Sequence, residues 1–449
     1  MLYERFFLPF FRHASRRAMN FDAGPVQPPV PPEDGRAFLY VHVPFCVVLC
    51  PFCSFHRVAY RENKAGRYFA ALRREILAYR DAGFCFTGVY VGGGTPTVAA
   101  GELAETLALI RESFPVQEVS VETNPSDLTE PVLDTLVQAG VDRVSVGVQS
   151  FDDGLLKEME RYDKYGSRGR ILEHLERARG RFTTLNVDMI FNLPHQTPAI
   201  LEADLDTVLG SAANQASFYP LMTTDSVRRK MTARMGRLDR RRVREYYFRI
   251  LERLRGEFTP SSAWCFSRGR GAGVDEYIAD NGDYVGVGSG AFSYVNGVMY
   301  STTFSLNAYH EMISSGRPAI TRSRRLARHE QLRYEMLLKL FGLRMDREWM
   351  RRRFGAGGEA SLWPELTALR LSGALRRDAG GYALSEQGMY LWILQMSAFF
   401  ESVNVFREKM RANIAAELER DDDVEEAAVA IERVTRWVER GKGHTLFMR

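Results

Sequence analysis

Between residues 37 and 221 the chain alternates short apolar runs with longer stretches that repeat an apolar face every three to four positions. The short runs, rich in β-branched residues, predict strands over 37–43, 88–91, 118–122, 143–147, 184–190 and 216–221. The stretches between them predict helices, among them 68–80, 103–113, 131–139 and 168–179. Six such βα repeats imply a parallel sheet with helices outside it, because parallel neighbours need long crossovers. Right-handed crossovers curl that sheet towards a partial (β/α)6 barrel of TIM type, so the fold class is α/β. In such architectures functional residues gather at the carboxyl ends of the strands.

From about residue 320 the pattern turns helical, with 330–341 a clear amphipathic helix broken by Gly342, Leu343 and Arg344. Residues 382–388 predict a strand or turn leading into a helix over 389–400. The organisation expected is an arm and proline-rich linker over 1–36, a core with its extension over 37–310, a helical, winged-helix-like domain over 320–410, and a helical tail over 411–449.

Composition narrows the picture by exclusion. A net charge of +4 on 449 residues leaves no nucleic-acid footprint. The basic runs 228–230, 240–242 and 351–353 read as solvated helix faces. The aromatic cluster Phe6, Phe7, Phe10 and Phe11 is short and broken by Pro9, so 1–20 is expected as an arm packed on the body, with no stable membrane insertion. Five cysteines, three of them in one motif, do not make a disulfide framework. They point to a reducing compartment, the cytoplasm, with Cys85 and Cys265 as buried, inert thiols.

The chemistry is concentrated in Cys46, Cys50 and Cys53, spaced by three and then two residues. Three thiolates at this spacing can hold three corners of a four-iron cluster and leave one iron open. A Cys3His zinc site completed by His56, and three unrelated buried thiols, are the alternatives at this point. After the second expected strand comes Gly92-Gly93-Gly94-Thr95-Pro96, whose glycines allow close approach to the backbone. Glu122 ends the third strand, Gln149 follows the fourth with Arg161 twelve residues on, and Asp188 lies on the fifth.

Together these motifs resemble the radical S-adenosylmethionine (SAM) enzymes, in which CxxxCxxC carries a [4Fe-4S] cluster and GGGTP holds the SAM amino group. The order Tyr40, Glu122, Gln149, Arg161 and Asp188, with the segment 284–292, is similar to the oxygen-independent coproporphyrinogen III oxidases and their relatives. The resemblance implies that Tyr40, Phe52, Gly93, Gly94, Thr95, Glu122, Gln149, Arg161, Asp188 and Phe292 line the site for one or two SAM molecules. Arg161 suits the SAM carboxylate, which a guanidinium pairs bidentately. It further implies a tetrapyrrole substrate and a low-potential electron donor of flavodoxin or ferredoxin type. No catalytic residue is assigned beyond the cluster and SAM site.

The chain departs from each branch of that family. Phe55 stands where the coproporphyrinogen oxidases carry a fourth cysteine. The HNxxYW signature of the haem-chaperone branch is replaced by Val274, Asp275, Ile278 and Ala279. The anaerobic haem-degrading radical methyltransferases share the lack of a fourth cysteine. The segment 262–268 is expected near the mouth, where Arg268 and Arg270 either meet propionates or belong to an exposed loop. An enzyme acting on a tetrapyrrole and a haem carrier without turnover both stay open.

Overall fold

In the computed structural model, the described residues are 12–13, 15–23, 26–269, 282–415 and 417. Each expected strand forms within three residues of its expected ends: β1 (Arg36–Val43), β2 (Cys85–Gly93), β3 (Glu118–Thr123), β4 (Arg143–Gln149), β5 (Thr184–Phe191) and β6 (Gln215–Pro220). They pair in parallel in that order. The intervening helices include α1 (Glu62–Asp81), α2 (Ala100–Ser113), α3 (Glu130–Gln138), α4 (Arg168–Arg177) and α5 (Pro198–Gly210). Both faces of the strands are covered, which is why they read as apolar runs rather than as a strict alternation.

The sheet extends at both edges. Past α6 (Arg242–Leu254), β7 (Cys265–Ser267) adds antiparallel to β6. On the other edge β8 (Tyr284–Val287) runs parallel to β1, and β9 (Phe292–Val295), β10 (Val298–Thr302) and β11 (Ile320–Arg325) follow antiparallel. Among the described residues thirteen strands in one linear order result, with Asp22–Ala23 beyond β11 and Thr259–Pro260 beyond β7. The six expected repeats undercount the parallel strands by one. β8 is four residues long and glycine-punctuated, so it carries too little apolar pattern to be read as a strand.

β8 is held by a buried polar knot. Glu75 of α1 accepts from the Gly288 amide at 2.8 Å and from the Tyr309 hydroxyl of α7 (Leu306–Ser314) at 2.6 Å. The Tyr68 hydroxyl donates to the His42 carbonyl at 2.7 Å and accepts from the Ser289 amide at 2.9 Å. Gly288 has φ of +95°, and a Cβ there would stand 2.5 Å from the His42 carbonyl, so only glycine fits.

Beyond the sheet come α8 (Arg328–Phe341), β12 (Arg344–Asp346), α9 (Arg347–Phe354), α10 (Trp363–Leu371), β13 (Leu375–Arg377), β14 (Gly381–Leu384) and α11 (Glu386–Ala412). The antiparallel order β12-β14-β13, threaded between these helices, is that of a winged helix. The expected limits at 320 and 410 meet elements that continue past them or belong elsewhere. β11 belongs to the main sheet although it starts at 320, and α11 runs through 410. α11 far outruns the expected 389–400 because its apolar face continues through Val403, Phe406 and Met410, all buried.

Several smaller expectations meet the structure here. The 351–353 run is exposed at Arg351 and Arg352, but Arg353 turns inward and pairs with buried Glu335 at 3.0 Å. Cys265 is buried, whereas Cys85 at the start of β2 is only half-buried. The arm does pack on the body over 15–23, with Met19 buried and the Phe21 ring 4.8 Å from that of Phe406. The aromatic cluster 6–11, Arg270, the positions 274–279 and the expected tail from 418 onward lie outside the described residues. Among the described residues no helix is long and apolar enough to cross a membrane.

Burial pushes the Glu75 carboxyl up from 4.5 to about 7, against the opposing pull of its bonds from Tyr309 and Gly288. Between those two pH values the folded protein keeps a proton that the unfolded chain has released, so stability falls as pH rises through that window. Glu75→Gln keeps an acceptor oxygen and removes the titration. Its stability relative to the parent is expected to rise between about pH 4.5 and 7 and level off roughly 3 kcal/mol higher. Urea midpoints measured from pH 5 to pH 8 test this; parallel curves for the two proteins would rule it out.

Candidate functional site at the carboxyl ends of the strands

The strand ends open into one cavity of about 320 Å³. All thirteen residues expected at the site line it: Tyr40 from β1, Cys46, Cys50, Phe52 and Cys53 from the loop after β1, Gly93, Gly94 and Thr95 from the end of β2, Glu122 from β3, Gln149 from β4, Arg161, Asp188 from β5, and Phe292 from β9.

The cysteine loop is pinned to the β2 turn by backbone. The Gly94 amide donates to the Val43 carbonyl and the Thr95 amide to the Phe45 carbonyl, each at 2.7 Å. A Cβ on Gly94 would lie 2.5 Å from the Phe45 carbonyl, so the glycine is needed for contact with the protein's own loop. The Gly93 amide donates to Glu122 Oε2 at 3.0 Å. With the amides of Gly93, Gly94 and Thr95 all engaged, what this turn offers a ligand is acceptor in character, as an ammonium group requires.

None of the three cysteines is engaged in a disulfide. Cys46 is buried, and desolvation pushes its thiol up to about 12, eased by the Thr95 hydroxyl at 3.5 Å. Arg161 Nη1 lies 3.6 Å from Cys50 Sγ. Three soft donors on one loop, Cys46 and Cys50 buried and Cys53 half-buried, with the Arg161 guanidinium beside Cys50, fit an iron–sulfur cluster, which takes them as thiolates and releases their protons. His56 does not join them. Its side chain is fully buried behind the loop, with Nε2 3.2 Å from the Ser289 hydroxyl and Nδ1 3.3 Å from Arg411, and it is not among the cavity residues. The Cys3His zinc alternative is thereby set aside.

Arg161 is the electrostatic centre of the far wall. It is 3% exposed, donates to Asn124 Oδ1 at 3.1 Å and to the Gly147 carbonyl, and lies over the Tyr165 ring at 4.2 Å. Its Nε is buried and makes no hydrogen bond within the protein. That orphaned donor fits a carboxylate ligand. Glu122 accepts from the Tyr90 hydroxyl at 3.0 Å, and Asp188 accepts from Ser145 and Asn186, each at 2.9 Å. Gln149 sits at a register shift at the end of β4 with φ of +78°, a strained conformation that aims its side chain off the strand path.

Tyr40 has a fixed polarity. His42 Nε2 is 3.0 Å from the His56 carbonyl, which can only accept, so Nε2 carries the proton. Burial holds the His42 imidazolium pKa down to about 4, so the ring is neutral and Nδ1 is an acceptor. The Tyr40 hydroxyl therefore donates to Nδ1 at 2.9 Å, leaving its oxygen lone pairs as acceptors.

The segment 262–268 divides. Trp264 lines the cavity, fully buried, but Arg268 does not. β7 runs antiparallel to β6, so the chain leaves the mouth at Trp264 and reaches the opposite end of the sheet at Arg268, whose amide bonds the Asn214 carbonyl. Its guanidinium lies over Phe258 and donates to the Leu209 carbonyl. Of the two alternatives held open for Arg268, that reversal of direction removes the propionate contact at the mouth.

The cavity's outer wall was not foreseen. Phe399, Phe400, Val403, Asn404 and Arg407 of α11 line it, as do Met19 of the arm and Arg57 after the cysteines. Arg411 Nη1 ties α11 to the cysteine loop through the Arg57 carbonyl at 2.7 Å. The apolar repeat 399, 403, 406, 410 was the available signal, but it does not say which surface it meets.

The family described as the Radical SAM superfamily matches residues 40–208. The chain is similar to "Heme chaperone HemW" of Bacillus subtilis, 28% identical over 78% of this chain and 96% of the relative, and of Mycobacterium tuberculosis, 31% identical over 66% and 80%. It is also similar to "Anaerobilin synthase" of Escherichia coli O157:H7, 26% identical over 67% of this chain and 71% of the relative. Among solved structures, coproporphyrinogen III oxidase (HemN) from Escherichia coli matches with a TM-score of 0.66 and 23% identity, over 86% of this chain and 92% of that one. The chain belongs to the radical SAM superfamily, in the family that includes the haem chaperone HemW and the oxygen-independent coproporphyrinogen III oxidases.

Proposed function

We propose that this chain is a radical SAM enzyme that cleaves SAM reductively and acts on a tetrapyrrole. The convergence of the thirteen expected residues on one cavity, Arg161 with its unpartnered Nε among them, is the observation that supports it. In this reading Cys46, Cys50 and Cys53 hold the cluster. When bound and reduced, cluster and SAM together supply a carbon-centred radical able to take a hydrogen atom from a substrate.

The chain's own residues do the rest. Arg161 pairs with the SAM carboxylate, and the acceptor-rich turn at Gly93 and Gly94 takes its ammonium. Glu122 and Asp188, each held by two donors, orient the ammonium and ribose, while Phe52 and Phe292 cover the adenine and Tyr40 and Gln149 complete the wall. Beyond this set, Leu221, Met222, Trp264, Phe399 and Phe400 make the rest of the lining apolar, as contact with the largely apolar face of a tetrapyrrole requires. A flavodoxin- or ferredoxin-type protein is the proposed reductant, and the cytoplasm the proposed location.

A second reading, haem carriage without turnover, is favoured by the similarity to HemW over nearly that protein's full length. The two separate in one anaerobic experiment. Reduced, cluster-loaded protein is incubated with SAM, with and without haem or coproporphyrinogen III, and 5′-deoxyadenosine is read by mass spectrometry. Formation that rises with one tetrapyrrole and vanishes in Cys50→Ala is expected. Stable one-to-one haem binding with no 5′-deoxyadenosine would leave the carrier.

The cluster assignment has its own test. Gly94→Ala places a methyl against the Phe45 carbonyl and pushes the cysteine loop off the β2 turn. Iron and sulfide per chain after reconstitution are expected to fall by roughly half or more, since ligand loops tolerate only small displacements. Parent-level iron in a folded Gly94→Ala protein would argue against the loop geometry described.

A further inference from the structure

Two guanidinium groups on the outer wall have no place in the SAM reading. Arg57 follows the cysteine loop and Arg407 lies on α11, and both line the cavity. They share a rim. Arg411, one helical turn past Arg407, donates to the Arg57 carbonyl, and the Arg407 guanidinium lies 4.7 Å from the centre of the Phe55 ring. Arg407 is 7% exposed, bonds Asn404 Oδ1 at 3.0 Å and also lies 5.6 Å from the Phe292 ring centre. Aromatic faces on a guanidinium fix its plane without consuming its in-plane donors.

Two donors on this rim are unsatisfied. Arg57 Nε and the Ser54 hydroxyl are both buried, both belong to cavity-lining residues, and neither has a hydrogen-bond partner in the protein. Arg57 Nη2 is anchored on the Cys50 carbonyl, which holds the head group in place. Buried donors of this kind are costly unless a ligand completes them. An apolar compartment edged by two cations and a free hydroxyl selects an apolar body that ends in an anion.

We propose that Ser54, Arg57 and Arg407, with Asn404 positioning Arg407, form a subsite for a carboxylate of the substrate, so that the cavity discriminates macrocycles by their acidic side chains. The proposal rests on the tetrapyrrole reading above and adds the residues that set its specificity. It also replaces Arg268, which the fold carries to the other end of the sheet.

The test is binding rather than turnover. Cluster-loaded protein is titrated with coproporphyrin III and with its tetramethyl ester, which keeps the ring and removes the charges, and porphyrin fluorescence is followed. The parent is expected to favour the acid. Arg407→Gln and Arg57→Gln should each weaken the acid by roughly 10- to 100-fold, as loss of a charge-assisted hydrogen bond does, and leave the ester unchanged. Arg407→Lys should restore part of the loss. Equal weakening of acid and ester, or unchanged acid binding in both glutamine variants, would overturn the subsite and leave the tetrapyrrole reading standing. Failure of the parent to bind either porphyrin would overturn both. Ester binding with parent affinity in each variant also shows that the cavity has folded.

Discussion

The site depends on the close contact between the cysteine loop and the turn that ends β2. Backbone bonds from Gly94 and Thr95 to Val43 and Phe45 set the start of the loop against a rigid strand end. No side chain could make that approach, because a Cβ at Gly94 would collide with the Phe45 carbonyl. Thiolate ligands on a free loop would sample many separations. Here one end of the loop is spliced to the sheet, and Arg411 of α11 grips the other through the Arg57 carbonyl. Preorganisation of this kind lowers the entropy that cluster binding would otherwise have to overcome.

A second constraint is the handling of charge in an enclosed, largely apolar space. Glu122 and Asp188 are each satisfied by two neutral donors, so each can face a cationic or hydroxylated ligand at little added desolvation cost. Arg161, almost fully buried, keeps one donor in reserve. His42 and Tyr40 carry no charge, and the buried imidazole orients the phenol. The cavity is therefore polarised before any ligand arrives, with acceptors at the ends of β2, β3 and β5 and donors at Arg161 and along the α11 rim.

The third feature is the closure of the mouth by distant parts of the chain. Phe21 of the arm, Phe292 of β9 and Phe406 of α11 meet within 4.8 to 6.2 Å between ring centres. The winged-helix region beyond β11 serves to deliver α11, whose buried face forms the outer wall. Elements far apart in sequence thus share one apolar seam at the mouth of the cavity.

The strands, the cysteine spacing and the polar positions at the strand ends are legible in the chain alone, because these follow local rules. Periodicity marks β1 to β6, cysteine spacing marks the cluster loop, and the placing of Glu122 and Asp188 on strands marks the mouth of a parallel sheet. Tertiary structure decided whatever depended on direction or on distant partners. Trp264 and Arg268 are four residues apart, yet the antiparallel run of β7 sends them to opposite ends of the sheet. His56 has the spacing of a zinc ligand, yet its ring is used by Ser289 and Arg411, 233 and 355 residues away in the chain. β8 holds its place through Glu75 and Tyr309, which no local pattern links to it. The outer wall exists only because α11 folds back over the cysteines, and an apolar stripe on a helix records that it is buried without recording against what.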